Sequence, residues 1–304
     1  MEVRIPISAE GARIDAVIAQ LVPDYSRARV QSMLREGRIL VDGATVRPAT
    51  RVLGDETVRI DMVPALDDPD DPLRWQPEVL PIDITHADHD VIVVNKPAGL
   101  VVHPGAGNRS GTLVNGLLAQ FPDLRSLPRA GLVHRLDKDT TGLLAVARSE
   151  RAHRQLVAAL SAREVTRQYL AIAAGEPSAG TTVNAPVGRH PTQRTRMAVT
   201  RGGKEAVTHF DVEERLAGAT LLRARLETGR THQIRVHAAH WGFPLLGDPL
   251  YGPRSVAAPA LQFERQALHA AWLAFVHPAT GVKVEFRAPL PTDLEQLLGH
   301  LRAG

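Results

Sequence analysis

The sequence lacks cysteine and has few aromatic residues, little net charge and no long hydrophobic run. With no cysteine among 304 residues, disulfides and thiolate-held metals are excluded, and a reducing compartment fits the composition. The longest apolar runs, such as 91–94 and 143–147, are too short to span a bilayer, and residues 1–8 show no signal peptide. The aromatic share of 4% leaves few rings on which sugars or single-stranded bases could stack. We therefore expect a cytoplasmic protein.

Arginine is the residue type that the chain has in excess. Four of the 36 basic residues are lysine and the other 32 are arginine, although the net charge is only +3. A bias towards GC-rich codons would explain this composition, and so would phosphate recognition by planar guanidinium groups. Composition leaves both explanations open, so the distribution of the arginines along the chain must decide.

Residues 13–60 form a compact basic segment. Helical spacing over Arg13–Leu21 and Arg27–Glu36, with strand patterns at Arg38–Val41 and Thr57–Ile60, predicts a small α/β unit whose second helix is capped by Ser26. Six of its arginines, Arg27, Arg29, Arg35, Arg38, Arg47 and Arg51, crowd this stretch. Clustered arginines without aromatic residues favour contact with the backbone of folded RNA, although a solvated basic face has the same pattern.

A stretch rich in proline and aspartate divides the chain. Prolines at 64, 69, 72, 77 and 81, with aspartates at 67, 68, 70 and 71, predict an extended linker over 63–81 between domains at 1–62 and 82–304. Strand patterns outnumber helical ones in the larger domain, which predicts an α+β fold with a mainly antiparallel or mixed sheet. The predicted strands are Ile82–His86, Val91–Asn95, Leu132–His134, Leu143–Arg148, Val165–Ala174, Ala206–Glu213, Thr220–Glu227, Leu268–Val276 and Val282–Arg287. The predicted helices are Thr112–Gln120, Glu150–Ala162, Thr231–Trp241 and Thr292–Leu301.

Three segments of the larger domain concentrate polar groups. The loop 131–142 brings two carboxylates and three basic groups between two predicted strands, where catalytic groups often lie, although a surface ion-pair turn has the same composition. The segment 163–171 places Tyr169, one of three tyrosines, in a strand with basic neighbours; a tyrosine at a strand end with a wet hydroxyl is the simpler interpretation.

The third segment, 227–237, begins a helix for which Thr228 or Thr231 is the predicted cap. Thr231 and Arg235 would share one face, while Ile234, Ala238 and Trp241 would face the core. The histidines at 232, 237 and 240 raise the question of zinc, but no cysteine or helical carboxylate completes a ligand set, so we expect no metal.

Together and in this order, the three segments resemble the motifs of the RluA-type pseudouridine synthases. The carriers of the resemblance are His134-Arg135-Leu136-Asp137 with Thr140-Thr141-Gly142, then Arg167-Gln168-Tyr169, then Gly229 to His237, then Pro244 to Gly252. The family often has lysine where Arg167 stands, so the charge is kept. Residues 13–60 resemble an S4 RNA-binding module, which one branch of that family also carries. The resemblance implies a pseudouridine synthase domain at 82–304 and an S4-like domain at 1–62.

The resemblance also implies an activity: uracil is detached from ribose at N1, turned and reattached through C5, without an organic cofactor or metal. It makes Asp137, Tyr169 and Arg235 the catalytic residues, with Arg235 paired to Asp137 and Tyr169 packed on the base. Arg135 would fill the space of the flipped uridine. The remaining residues expected to contact substrate or RNA are His134, Thr140, Arg230, His232, Gln233, Arg27, Arg29, Arg35 and Arg38. Attack on C1′, addition at C6 and ribose deprotonation stay open as the role of Asp137.

The expected partner is RNA, in particular a stem-loop of large-subunit (23S) ribosomal RNA, bound by a monomer. The stretch Arg189 to Lys204, with Arg194, Arg196 and Arg201, reads as a mobile loop that grips the stem or as a disordered hairpin. A non-enzymatic RNA-binding or ribosome-assembly protein would explain the basic module but not the three motifs. A glycosidase using Asp137 with Asp139 lacks the flanking geometry, and a zinc base deaminase lacks its cysteines.

Overall fold

The chain folds into two compact units, Met1–Pro69 and Asp70–Gly304. The computed structural model describes residues 1–22, 25, 27–61, 75–105, 108–193, 195–252 and 263–303. Three predicted features lie outside the described residues: the Ser26 cap, Arg194 and most of the linker, 63–74. The side chain of Arg29 is not described either. The domain limits at 62 and 81 therefore stay a prediction.

The N-terminal unit packs two helices on a small sheet. Its described elements are β1 (Glu2–Arg4), α1 (Ile14–Leu21), α2 (Arg27–Arg35), β2 (Ile39–Val41) and β3 (Thr57–Ile60). The strands pair antiparallel in the order β1-β3-β2. Ile14, Ile18, Val30 and Met33 from the helices are buried against Val58 of the central strand, as the helical spacing predicts.

The C-terminal unit is built on one large mixed sheet. Its described strands are β4 (Asp83–Ala87), β5 (Val91–Lys96), β6 (Thr141–Ala147), β7 (Thr166–Ala174), β8 (Thr181–Asn184), β9 (Val187–Arg189), β10 (Met197–Val199), β11 (Val207–Leu216), β12 (Ala219–Leu226), β13 (Leu268–Val276) and β14 (Lys283–Arg287). The helices are α3 (Leu113–Gln120), α4 (Glu150–Ser161), α5 (Gln233–Trp241) and α6 (Thr292–Ala303). Among the described residues, the order of the large sheet is β4-β5-β6-β13-β7-β12-β11-β8, with β14 also paired to β13, and β9 and β10 form a separate two-stranded sheet. The β6–β13 pair is parallel and the other pairs are antiparallel, which confirms the predicted α+β class.

Both faces of the sheet centre are covered. Ile92 and Leu144 lie in one core cluster with residues of α3 and α5, while Val93 and Ala145 lie in a second cluster with residues of α4. Side chains alternate between the faces of a strand, so a strand covered on both sides reads as a continuous apolar run. This explains why β6 is buried at every position.

Four short strands, β1, β8, β9 and β10, were not predicted, because segments of three or four residues show a period of two only weakly; β2 and β3, which are as short, were predicted. The predicted strand Leu132–His134 is wrong. A 3-10 helix, Pro128–Gly131, precedes it, and Leu132 makes only an isolated bridge to Val146. Residues 189–204, for which a mobile loop or a disordered hairpin was predicted, include the last residue of β9 and all of β10, and these two strands pair antiparallel.

Residues 75–81, predicted as linker, lie against α3. Trp75 is buried in the main core, the Asn115 side chain donates to Gln76 O at 2.7 Å, and Glu78 N donates to Asn115 O at 3.0 Å. The proline content of residues 75–81 cannot predict these hydrogen bonds, because their partner Asn115 lies on a helix about 40 residues further along the chain. No helix in the described part of the chain is long and apolar enough to cross a bilayer.

Candidate active site

Asp137 lies in the loop that leads into β6, and a buried lysine binds the backbone of this loop. Lys96, the last residue of β5, is 1% exposed, and its Nζ donates to the carbonyls of Lys138 at 2.7 Å, Pro97 at 2.7 Å and Leu100 at 2.9 Å. Burial lowers the pKa of Lys96 to about 8, against the raising effect of Asp139 and Asp137. The sequence interpretation missed Lys96, although a single charge ending an otherwise apolar strand was a signal.

Arg235 joins Asp137 to a second carboxylate. Its Nη1 donates to Asp137 Oδ2 at 2.9 Å, while Nε and Nη2 donate to the two carboxylate oxygens of Asp248 at 2.7 and 2.9 Å. Burial opposes the charge of Arg235, but hydrogen bonds and charge from Asp248 and Asp137 raise its pKa above the ordinary value. The predicted pairing of Asp137 with Arg235 is therefore present, and the guanidinium has a fixed direction.

Asp248 is the residue that orients Arg235, and the sequence interpretation assigned it no role. Its side chain is fully buried, and Oδ1 also accepts the backbone N–H groups of Leu250 at 2.9 Å and Tyr251 at 3.0 Å. Burial would raise the pKa of Asp248, but these donors and Arg235 lower it. A buried carboxylate that accepts several donors stays charged and immobile, and so does its partner.

His232 and Tyr251 close the other side of Asp137. His232 Nε2 lies 3.9 Å from Asp137 Oδ1, and its Nδ1 lies 2.9 Å from Tyr251 Oη, which accepts the Met197 N–H at 2.7 Å. Burial lowers the pKa of His232 and so favours the neutral ring, against the raising effect of the Asp137 charge. Asp137 Oδ1 has no hydrogen bond among the described residues and is available to a substrate.

Tyr169 stands on the wall of the cavity that Asp137 enters. The cavity has a volume of about 570 Å³ and is lined by the Asp137 loop, by β7 and by the loop before α5. Tyr169 is 6% exposed, and burial raises the pKa of its hydroxyl, which the Arg167 charge opposes. A ring held in the core with one surface on a cavity suits packing against a base.

His134, Arg135 and Thr140 flank Asp137 in the same loop but differ in exposure. Arg135 is exposed at the cavity, whereas Thr140 is buried and its hydroxyl accepts from Gln266 Nε2 at 3.0 Å. His134 Nε2 accepts the Ala145 N–H at 3.0 Å, and burial together with the Arg167 charge lowers its pKa to about 3. Arg135 alone of the three has an exposed charge that can meet RNA.

Gln233 ties the loop before α5 to the sheet. Its Oε1 accepts from the Thr228 hydroxyl at 2.7 Å and the Arg230 N–H at 3.0 Å, and its Nε2 donates to Val207 O and Thr208 Oγ1, both at 3.0 Å. The predicted threonine cap is wrong: the N-cap is His232, in a left-handed conformation and without a side-chain cap. Thr231 lies outside α5, so it does not share a helical face with Arg235.

The three histidines near α5 do not converge. His237 is buried, with Nδ1 2.9 Å from Thr208 Oγ1 and Nε2 2.9 Å from Ala185 O, while His240 is exposed. Within the described ranges no three histidine, aspartate or glutamate side chains cluster as metal ligands do. Arg230 lines the same cavity as Asp137, and its Nε donates to Glu205 O at 3.0 Å.

The predicted arginines of the N-terminal unit are described only within that unit. Arg27 on α2 donates to the buried Asp15 on α1 at 3.0 Å, and this pair joins the two helices. Asp15 also accepts from Arg13, which directly precedes α1, at 2.9 Å. Arg35 is exposed, and Arg38 is half-buried with Glu36 3.8 Å away. The charge of Arg35 is therefore more accessible to a ligand than that of Arg27, which is paired with Asp15.

The chain is similar to known proteins over nearly its whole length. The family model described as RNA pseudouridylate synthase matches residues 90–240, and the S4 domain model matches 12–58. The ribosomal large subunit pseudouridine synthase D of Yersinia pestis is 48% identical over 96% of this chain and 92% of its own length. The protein of that name from Xanthomonas campestris pv. campestris is 48% identical over 98% of this chain and 91% of its own. The solved structure of human RNA pseudouridylate synthase domain containing 4 aligns with a TM-score of 0.59 and 26% identity, covering 72% of this chain and 93% of that one.

Proposed function

We propose that this chain, which belongs to the RluA-type family of RNA pseudouridylate synthases, modifies large-subunit ribosomal RNA with Asp137 as its catalytic carboxylate. Membership of the family makes the chain an enzyme that binds RNA and isomerises uridine to pseudouridine. The N1–C1′ bond breaks and a C5–C1′ bond forms. The hydrogen leaves C5, N1 gains one, and no atom is lost.

The arrangement of Asp137 is the observation that carries the catalytic assignment. Arg235 donates to Oδ2, and no group in the described part of the chain donates to Oδ1, in a cavity that Tyr169 also lines. A carboxylate needs one held oxygen and one available oxygen to act on a nucleotide from a fixed position. Tyr169 would pack on the uracil, and the exposed Arg135 would occupy the place that the flipped nucleotide leaves.

Exchange of Asp137 for asparagine tests the assignment. Asp137→Asn is nearly isosteric and removes only the charge, so we expect folding and RNA binding to persist while pseudouridine formation is lost. The measurement is a carbodiimide-based pseudouridine assay beside a binding titration. Asp139→Asn is the matched control from the same loop, and its effect should be milder. Near wild-type activity in Asp137→Asn would disprove the catalytic role.

The large ribosomal subunit is proposed as the source of substrate because the similar proteins carry it in their names. A uridine in a loop is cheaper to flip than one in a duplex, since its stacking and pairing are already weak. Pseudouridines should be mapped in RNA from cells that lack the protein and from cells restored with wild type or Asp137→Asn. Loss of large-subunit loop sites, restored only by wild type, is expected. Loss confined to transfer RNA would contradict the substrate and leave the chemistry intact.

A further inference from the structure

Arg167 is a buried arginine on the wall of the active-site cavity, two residues before Tyr169 on β7. Side chains two apart on a strand point to the same face, so both side chains face the cavity. Arg167 is 7% exposed and has no carboxylate partner among the described residues. Its one hydrogen bond there is a long contact of 3.4 Å from Nη2 to Glu227 O, and the buried Nε has no partner.

Two other arginines that line the cavity have carboxylate partners. Arg235 has Asp137 and Asp248, and Arg163 has Glu205 at 2.7 Å and Glu227 at 2.8 Å. A guanidinium group cannot lose its proton to escape burial, and an uncompensated buried charge is costly. Burial indeed lowers the pKa of Arg167. The cost is removed if an anion that the protein does not contain enters the cavity.

The loop that leads into α5 lies directly over Arg167. A Cβ atom at Gly229 would stand 2.7 Å from Arg167 Nη1, so the absence of a side chain there lets the guanidinium reach the loop. The backbone N–H groups of Thr231 and His232, just before α5, donate to no backbone acceptor in the described chain. Free N–H groups and the positive end of a helix favour an anion at this place.

His134 adds a second donor without a partner. Because Nε2 accepts the Ala145 N–H, the neutral ring carries its hydrogen on Nδ1, and that buried atom has no acceptor within the described ranges. Six arginines and two carboxylates line the cavity, so its charge favours a polyanion. Three of these six arginines, Arg129, Arg163 and Arg230, lie outside the Asp137 loop and have no role in the proposed reaction.

We propose that Arg167, together with the backbone of the Gly229–His232 loop, binds a phosphodiester of the RNA next to the target uridine. The inference rests on the proposed function, because it takes the cavity to be the place where a flipped nucleotide enters. A flipped nucleotide brings the phosphates on its two sides to the cavity with the base, and a guanidinium matches a phosphate in forked geometry. Arg167 is thus a binding residue whose counter-ion is supplied by the substrate.

The test measures the affinity for large-subunit ribosomal RNA, taken from cells that lack the protein, over a series of KCl concentrations. All proteins carry Asp137→Asn to prevent turnover. Arg167→Gln should weaken binding by about 10- to 100-fold, as expected for the loss of a charged hydrogen-bonded contact. The slope of log affinity against log salt should fall by about 1, the value for one phosphate contact. Arg167→Lys should keep most of the slope, because it keeps the charge.

Arg302→Gln is the control, since Arg302 on α6 already pairs with Glu214 at 2.6 Å; its slope should stay unchanged. The thermal midpoint of Arg167→Gln should equal or exceed that of the parent, because a costly buried charge has gone. Unchanged affinity and slope would overturn the proposal. A second assay uses Arg167→Gln in a chain that keeps Asp137: a shifted pH profile of catalysis with normal binding would also overturn the proposal, because Arg167 would then act on Tyr169 and not on the RNA. Failure of both Arg167 variants to fold would also overturn it, because the guanidinium would then be structural. If wild type forms no pseudouridine in this RNA, the proposed substrate fails, but the slope still reports on Arg167 because all RNA carries phosphates.

Discussion

Exchange of Arg235 for methionine should affect two properties, the stability of the fold and the position of Asp137 in the active site. Arg235 is 4% exposed and Asp248 is fully buried at the side chain, so Arg235→Met leaves a buried carboxylate without its counter-ion. Removing one partner of a buried pair costs about 3–5 kcal/mol. Asp137 would also lose the donor on Oδ2, and a misplaced catalytic group lowers the rate by about 100-fold.

A second variant distinguishes the loss of stability from the loss of activity. Arg235→Met with Asp248→Asn removes both charges and keeps an oxygen for the N–H groups of Leu250 and Tyr251, so most of the lost stability should return. Activity should stay low, because Asp137 still lacks its donor. Arg235→Lys should restore activity only in part, since one ammonium cannot hold two carboxylates in fork geometry.

The destabilisation by Arg235→Met should depend on pH. In the wild type the pKa of Asp248 is lowered on folding, so this group contributes stability at neutral pH that is lost as the pH falls through its folded pKa. Without Arg235 the burial of Asp248 raises the pKa instead, and acid then relieves the cost. The difference in unfolding free energy should therefore shrink between pH 7 and about 4.

Urea denaturation gives the stabilities, and single-turnover pseudouridine formation gives the rates. If the double variant is as unstable as Arg235→Met at pH 7, the charge of Asp248 is not the source of the loss. Full activity of Arg235→Met would mean that Asp137 does not depend on this pairing. Either result refutes the reasoning.

Two further predictions concern the N-terminal unit and Lys96. Deletion of residues 1–69 should leave a folded C-terminal unit by circular dichroism, with weaker RNA binding and a shallower salt slope; an unchanged slope would mean that the arginines at 27–51 make no phosphate contacts. Lys96→Met should lower both stability and activity, because it leaves the Lys138 carbonyl next to Asp137 without its donor. The folded pKa of Lys96 is about 8 and lies below the ordinary 10.5, so the unfolded chain binds more protons between these values. The wild type should therefore gain stability over Lys96→Met as the pH rises from 8 to 10, and equal pH slopes in denaturant titrations would contradict this.

The longer elements were predictable because each carries its own period. The strand Leu268–Val276 is predicted and observed with the same limits, and α3, α4 and α6 differ from prediction by one or two residues at an end. Their apolar residues repeat with the spacing of the buried face, which is a local property. The prediction of a strand at Leu132–His134 was wrong, because a pattern of only three residues does not distinguish a strand from a loop that makes one isolated β-bridge.

The sequence by itself determined the family, the fold class and the loop that carries Asp137, because these reside in ordered motifs and in local periodicity. Tertiary structure alone decided what each polar side chain does. Arg235 is 98 residues from Asp137, Lys96 is 42 from Lys138, and Gln266 is 126 from Thr140. Hydrogen bonds between such distant positions leave no periodic signal in the chain. A polar residue expected to contact RNA can therefore be a buried structural residue, as Gln233 is. Arg167, a variation within the tyrosine motif, is buried at the cavity and has no carboxylate partner among the residues that the structure describes.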